Sequence, residues 1–127
     1  MRLALEGKPI TIFGDGAQLR DYIYATDLAD AFLAVGLSPT PSGEVFNCGS
    51  GHSVRFREMA EAVVRVLGKG TIEFVPWPPE YEQVETGDVN FGIGKLCRTT
   101  GWAPSIPLEE GIDRMHRYFA PRLPPYL

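Results

Sequence analysis

Two stretches of the chain space their hydrophobic residues as an amphipathic helix does, with polar residues on the opposite face. The first runs from about Ser53 to Leu67 and ends at Gly68 and Gly70. Its apolar stripe consists of Phe56, Met59, Ala60, Val63 and Leu67. The second lies near the carboxyl end and is stopped by Pro121. Its stripe consists of Leu108, Ile112, Met115 and Phe119.

Helical spacing also begins after Tyr24, where three apolar residues recur at i, i+4 and i+7. These residues are Leu28, Phe32 and Val35. Thr26 or Asp27 is the expected N-cap, and the proline-rich stretch 38–43 ends the pattern. Residues 93–100 are expected to form a further helix, and Gly7 to close the tail of a helix whose body would lie upstream of Met1.

Short β-branched or aromatic runs between these helices predict strands. The expected strands are 9–13, 20–24, 44–48 and 71–75. The last leads into a stiff proline-rich bend over residues 76–79. Strands that alternate with helices in a chain of 127 residues predict a single small mixed α/β domain over 1–127.

Composition excludes several classes of protein. The net charge of −4 gives no basic stripe for nucleic acid, and the longest apolar runs are too short to cross a membrane. Cys48 and Cys97 form no Cys-x-x-Cys pair and, with two histidines, no zinc pattern. The first residues, 1–7, are too short for a secretory core, so a cytoplasmic protein is expected.

The segment from Gly14 to Ala29, GDGAQLRDYIYATDLA, carries the strongest chemical signal. A glycine turn followed by a strand can aim the guanidinium of Arg20 at a diphosphate, which arginine binds with two parallel donors. The alternative from spacing alone is that Arg20 pairs with Asp15, Asp21 or Asp27.

This segment resembles the one found in UDP-glucose 4-epimerase, dTDP-glucose 4,6-dehydratase and related extended short-chain dehydrogenases/reductases. The stretch 45–51, VFNCGSG, is similar to the family's Tyr-Asn-x-Gly segment, and Thr86-Gly87-Asp88, Lys95 and Gly101-Trp102-x-Pro104 match its closing pattern. Trp102 is expected to be structural, with its ring packed at a helix end.

The resemblance implies a nucleotide-diphosphate sugar as ligand, with Arg20 on the diphosphate and Asn47 on a phosphate or ribose oxygen. Thr11, Ile12 and Phe13 would line the nucleobase, and Asp88 would bind a ribose hydroxyl. For Asn47, the alternative from turn chemistry is a simple capping role.

Three positions depart from the family pattern. Glu85 stands where many of these epimerases have a second arginine, so a clamp of two arginines is in doubt. Arg98 or another basic group could replace that arginine, or the ligand could be held differently. Gly92 and Gly94 replace the aspartate and the Ser or Thr that often precede the family's lysine.

The family's catalytic Tyr-x-x-x-Lys and its amino-terminal glycine-rich cofactor turn are not found in this sequence. Gly49-x-Gly51 with Glu73 imitates a dinucleotide-binding start, but Val54 holds the third glycine position and Glu73 falls within a strand. The expectation is therefore that the chain binds no cofactor alone, and that NAD or NADP belongs to a longer parent enzyme.

The partner expected for this chain is the amino-terminal Rossmann domain that the parent would contain. That parent would epimerise, dehydrate or reduce a sugar through a keto intermediate, and the chain alone would not be catalytic. Alternatively, the chain is a free-standing nucleotide-sugar-binding or interaction module that acts with a partner chain, or a domain that pairs with a second copy as a homodimer. The reading frame upstream of Met1 would separate a truncated enzyme from a module.

Overall fold

A computed structural model describes residues 1–39 and 43–122 of the chain. Helices and strands are interspersed along the chain, as in a mixed α/β domain. The strands are β1 (Pro9–Phe13), β2 (Leu19–Asp21), β3 (Ser53–Arg55) and β4 (Thr71–Val75). The helices are α1 (Arg2–Leu5), α2 (Ala25–Leu37), α3 (Phe56–Leu67), α4 (Pro79–Glu82), α5 (Gly94–Thr100) and α6 (Leu108–Phe119), with a 3₁₀ turn over Ala120–Arg122.

The strands form two separate two-stranded sheets. β1 and β4 are parallel and pair from Pro9 with Thr71 to Phe13 with Val75. Parallel neighbours need a long crossover, and β2, α2, β3 and α3 provide it. β2 and β3 are antiparallel, with Arg20 opposite Val54. The mixed α/β class, the strands at 9–13 and 71–75, and the helices at 93–100 and near the carboxyl end are confirmed.

The core consists of two clusters of buried side chains. In the first, α1, α3 and α6 bring together Ala4, Ala62, Val63 and Ile112. In the second, Ala31 of α2 and Leu96 of α5 pack on Trp102, which is 9% exposed. The expected structural role of Trp102 is thereby confirmed. The sequence pattern found α3 and α6 because each buries one apolar stripe against the other.

Several predicted boundaries are wrong. The strand expected at 20–24 ends at Asp21, because β3 is antiparallel to it and the first residue of β3, Ser53, lies opposite Asp21. Neither Thr26 nor Asp27 caps α2: the N-cap is Tyr24, and Asp27 lies in the first turn. Helix α4 is a further difference: the prolines over 76–79 indicate only a bend, but Pro79 is the first residue of this short helix. α2 ends at Leu37, and residues 40–42 of the predicted breaker lie outside the described residues.

The predicted strand at 44–48 is also absent from the described part of the chain. A strand needs a neighbour to complete its backbone hydrogen bonds, and both described sheets lack this segment. The segment is instead held by side chains. Lys95 donates to the Val45 carbonyl at 2.9 Å and to Glu44 at 2.5 Å, and Phe46 packs against the second core cluster.

Candidate nucleotide-binding site

The candidate site is built around Arg20 in the middle of β2. Its Nη1 donates to the Leu19 carbonyl at 2.7 Å and to the Gly87 carbonyl at 2.6 Å, and its Nη2 is paired with the Glu85 carboxylate. The side chains of Arg20 and Glu85 are 23% and 25% exposed, so the ion pair is largely shielded from water. The pair holds a cation at the surface in a fixed orientation.

Residues 85–89, here called the 85–89 segment, run beside β2. Asp88 Oδ1 accepts a hydrogen bond from the Leu19 N–H at 2.8 Å, and the Val89 N–H donates to the Leu19 carbonyl at 3.0 Å. Ser53 Oγ donates to the Val89 carbonyl at 3.0 Å. The segment therefore holds Asp88 against the backbone of Leu19, the residue before Arg20, with one carboxylate oxygen already bonded there.

The three aspartates considered as partners of Arg20 each have another role, so that pairing hypothesis is wrong. Asp15 accepts from the Ala17 N–H at 2.9 Å and fixes the glycine turn. Asp21 binds two N–H groups of the loop 49–51, and Asp27 binds the stretch 105–106. The partner is Glu85, which lies 65 residues away in sequence and could not be identified from local spacing.

The loop at 49–51 does not fit a dinucleotide cofactor. The Ser50 N–H donates to Asp21 Oδ1 at 2.6 Å, and the Gly51 N–H donates to Asp21 Oδ2 at 3.0 Å. A cofactor's pyrophosphate needs such backbone N–H groups, and here a carboxylate already takes two of them. Glu73 lies in the middle of β4, away from the strand end where a ribose would be reached.

Asn47 lies on the irregular stretch between the Lys95 contacts and this loop. Its side chain is exposed. The Lys95 ammonium also stands 4.9 Å from the centre of the Phe46 ring, so the family's lysine holds the residue before Asn47 in place. Lys95 thus anchors the chain before Asn47, and Asp21 anchors the loop 49–51 after it.

Thr11, Ile12 and Phe13 occupy the second half of β1. Ile12 is fully buried, so it offers only backbone groups to a ligand, whereas Thr11 is exposed. Phe13 belongs to an aromatic cluster that the sequence did not reveal. Its ring centre is 5.5 Å from that of Trp77 and 5.6 Å from that of Tyr81.

The aromatic cluster of Phe13, Trp77 and Tyr81 and the Arg20 pair are linked by one stretch of chain. The chain after β4 supplies the rings of Trp77 and Tyr81 and then continues into the 85–89 segment, which contacts Arg20. Parallel β1 and β4 end together, which brings Phe13 near this stretch. The usable signal in the sequence was the pair of aromatics spaced among prolines after a predicted strand.

Arg98 does not take the place of a second clamp in the described contacts. It lies in the last turn of α5, with its guanidinium against Gly94, where an added Cβ would be 3.0 Å from Nη1. Gly94 thus gives room to the arginine.

A cavity of about 350 Å³ lies next to the loop 49–51. It is lined by Tyr22, Ser50, His52, Val54 and residues 104–108. The Tyr22 hydroxyl is buried without a hydrogen-bond partner in the described residues. Burial raises the pKa of Tyr22, and the positive charge of Arg20 offsets only part of this effect. The cavity contains none of the residues predicted to bind the ligand.

The cysteines have the character of ordinary thiols. Both are free, and burial raises the pKa of Cys48, with Asp21 adding to the effect, so Cys48 remains protonated at neutral pH. Among residues 1–39 and 43–122, no group of three potential ligands from histidine, cysteine, aspartate and glutamate could hold a metal ion. In the same part of the chain, every helix is too short or too polar to span a membrane.

Comparison with known proteins agrees with the motifs. The model of the NAD dependent epimerase/dehydratase family matches residues 1–49. A UDP-glucose 4-epimerase from Mycolicibacterium smegmatis is 32% identical over 118 residues, which cover 91% of this chain and 36% of that protein. The chain thus spans about a third of the length of the curated relatives it matches.

Solved structures have the same fold. An epimerase from Methanothermobacter thermautotrophicus superposes with a TM-score of 0.87 at 25% identity, over 97% of this chain and 36% of that one. A UDP-glucuronic acid 4-epimerase from Bacillus cereus, solved with UDP-glucuronic acid and NAD, gives 0.80 at 28% identity, over 92% and 37%. The fold is therefore that of part of an extended short-chain dehydrogenase/reductase. Within this class, the chain is related to the NAD dependent epimerase/dehydratase family.

Proposed function

We propose that this chain is the nucleotide-sugar-binding portion of an NAD- or NADP-dependent epimerase or dehydratase, and that it is not catalytic without the rest of that enzyme. The observation that carries the proposal is the placement of Arg20 on β2 with Asp88 beside it on the 85–89 segment. Both residues come from the family-like motifs, and the fold brings them together from 68 positions apart in sequence.

The proposed roles follow from the chemistry of each group. Arg20 binds the diphosphate, since three of its five N–H donors serve the contacts described and the others can meet phosphate oxygens. Asn47 donates to a phosphate or ribose oxygen. The second oxygen of Asp88 accepts from a ribose hydroxyl.

The nucleobase is proposed to lie against the end of β1. Thr11 and Ile12 offer backbone groups, and the Phe13 ring, backed by Trp77 and Tyr81, offers a stacking face. NAD or NADP is assigned to the remainder of the enzyme, because the loop at 49–51 does not fit a pyrophosphate.

The proposal predicts that Arg20→Ala weakens binding of whichever of UDP, dTDP and GDP the purified chain binds. Isothermal titration calorimetry should show saturable binding of at least one nucleotide by the wild type and a loss of about tenfold or more in the variant, because charge-assisted hydrogen bonds to phosphate are removed. Arg20→Lys keeps the charge without the fork and should bind with intermediate affinity.

The matched control is Arg65→Ala, which breaks an exposed ion pair between Arg65, near the end of α3, and Glu109 of α6. It should bind as the wild type does. Equal binding by Arg20→Ala, or no binding of any of the three nucleotides by the folded wild type, would contradict a preformed nucleotide subsite in this chain. Circular dichroism confirms that each variant is folded.

A further inference from the structure

Glu85 is the feature of the site that the proposed function does not explain. It places a carboxylate on the guanidinium that is proposed to bind phosphate. Glu85 Oε1 also accepts from the Gly87 N–H at 3.1 Å, so the same carboxylate oxygen contacts both Arg20 of β2 and the backbone of the 85–89 segment. Its position is therefore fixed by two contacts.

We infer that Glu85 is a specificity-determining residue, which makes the Arg20 subsite favour nucleotide sugars over free nucleoside diphosphates. The inference rests on the proposed function of Arg20. A phosphate that reaches the guanidinium comes close to the Glu85 carboxylate and is repelled by it. The repulsion increases with each negative charge on the phosphate.

The two ligand classes differ in charge at the position that matters. A free nucleoside diphosphate ends in a phosphate whose second ionisation occurs near pH 6, as for other phosphate monoesters, so at pH 8 it carries one negative charge more than a sugar diester. Because the Arg20 and Glu85 side chains are largely shielded, this extra charge is screened less than at an open surface. The carboxylate therefore disfavours the free diphosphate more than the nucleotide sugar.

The exposed Glu109, which pairs with Arg65, offers a matched comparison. Its side chain is 59% exposed, and removal of its charge changes the net charge of the chain by the same amount. An effect of net charge alone would appear in both variants, whereas competition for Arg20 would appear only at Glu85.

The test compares Glu85→Gln with Glu109→Gln by calorimetric titration with UDP and with UDP-glucose at pH 8 and low salt. Glutamine keeps an oxygen that can accept from Arg20 and from the Gly87 N–H but has no charge, so the segment should stay in place. We expect Glu85→Gln to tighten UDP by about tenfold and UDP-glucose by about threefold, and Glu109→Gln to change neither. Thermal melts check that both variants are folded.

The inference would be overturned if the ratio of the dissociation constants for UDP and UDP-glucose were the same in Glu85→Gln as in the wild type. It would also be overturned if Glu109→Gln changed that ratio as much as Glu85→Gln does. If UDP binding by the wild type is lost in Arg20→Ala, the proposed function survives that result. Binding of both ligands that is insensitive to Arg20→Ala would instead contradict the proposed function and the inference together. The same conclusion follows if neither the wild type nor Glu85→Gln binds either ligand.

Discussion

Replacing Asp27 with alanine is expected to lower the free energy of unfolding by about 3 kcal/mol. Asp27 is 3% exposed, and its carboxylate accepts from the Ser105 N–H at 3.0 Å, the Ser105 hydroxyl at 2.9 Å and the Ile106 N–H at 2.9 Å. These bonds join the first turn of α2 to the stretch before α6. Alanine would leave three donors unpaired, and urea unfolding followed by circular dichroism measures the loss.

Two further variants distinguish the loss of the Asp27 hydrogen bonds from the general effect of a substitution in α2. Asp27→Asn retains one acceptor oxygen for the two N–H groups and can donate to the Ser105 hydroxyl, so it should cost about 1 kcal/mol. Asp30→Ala, on an exposed position of the same helix, should change stability by about 0.5 kcal/mol or less. A cost for Asp27→Ala no larger than that for Asp30→Ala would show that water replaces the lost acceptor.

The same contacts give the Asp27 effect a pH dependence. Burial raises the pKa of Asp27, but the hydrogen bonds from Ile106 and Ser105, with the charge of Arg114, outweigh it and lower the pKa below its ordinary value. A lowered folded-state pKa contributes stability above the unfolded pKa of about 3.9, and that contribution is lost as pH falls through the folded value. The stability difference between wild type and Asp27→Asn should therefore shrink below about pH 4.

Helices α3 and α6 and the strands at 9–13 and 71–75 could be predicted from sequence because each is specified locally, whereas the parallel pairing of β1 with β4 was not predicted. α3 and α6 bury one stripe each, and β1 and β4 are short apolar runs bounded by glycine or proline. The predicted strand at 44–48 is wrong because a strand also depends on a neighbour elsewhere in the chain. The segment packs Phe46 against the second core cluster but pairs with no strand in the described residues.

Only part of the candidate site was predicted, because some of its contacts join residues that are distant in the sequence. A local motif identified Arg20, and the family resemblance added Asn47 and Asp88. Glu85 was noted only as a departure, and its contact with Arg20 depends on the fold that places the 85–89 segment beside β2. Trp77 and Tyr81 were missed because their role appears only when β1 and β4 end side by side.

The tight approach of Trp77 to the turn after β1 gives the second large prediction. Gly14 has a φ of +65°, and its N–H donates to the Val75 carbonyl at 2.8 Å. A Cβ at this position would lie 2.4 Å from Trp77 Nε1 and 2.9 Å from Cδ1. The ring is itself packed against Phe13, so it cannot move without disturbing the aromatic cluster.

Gly14→Ala is therefore expected to lower the free energy of unfolding by about 3 kcal/mol, of which the left-handed backbone accounts for about 1 to 2. Gly68→Ala is the matched control, since Gly68 has the same φ of +65° but no neighbouring atom within 4 Å of an added Cβ. The excess cost of Gly14→Ala over Gly68→Ala, measured by urea unfolding, isolates the contact with Trp77. Displacement of the ring should also change the tryptophan emission in Gly14→Ala alone, because the other tryptophan, Trp102, lies in the second core cluster, apart from the aromatic cluster. If the two variants lose the same free energy of unfolding and the emission is unchanged, the Trp77 ring moves aside without cost. The aromatic cluster at the end of β1 would then not be a rigid surface for a nucleobase.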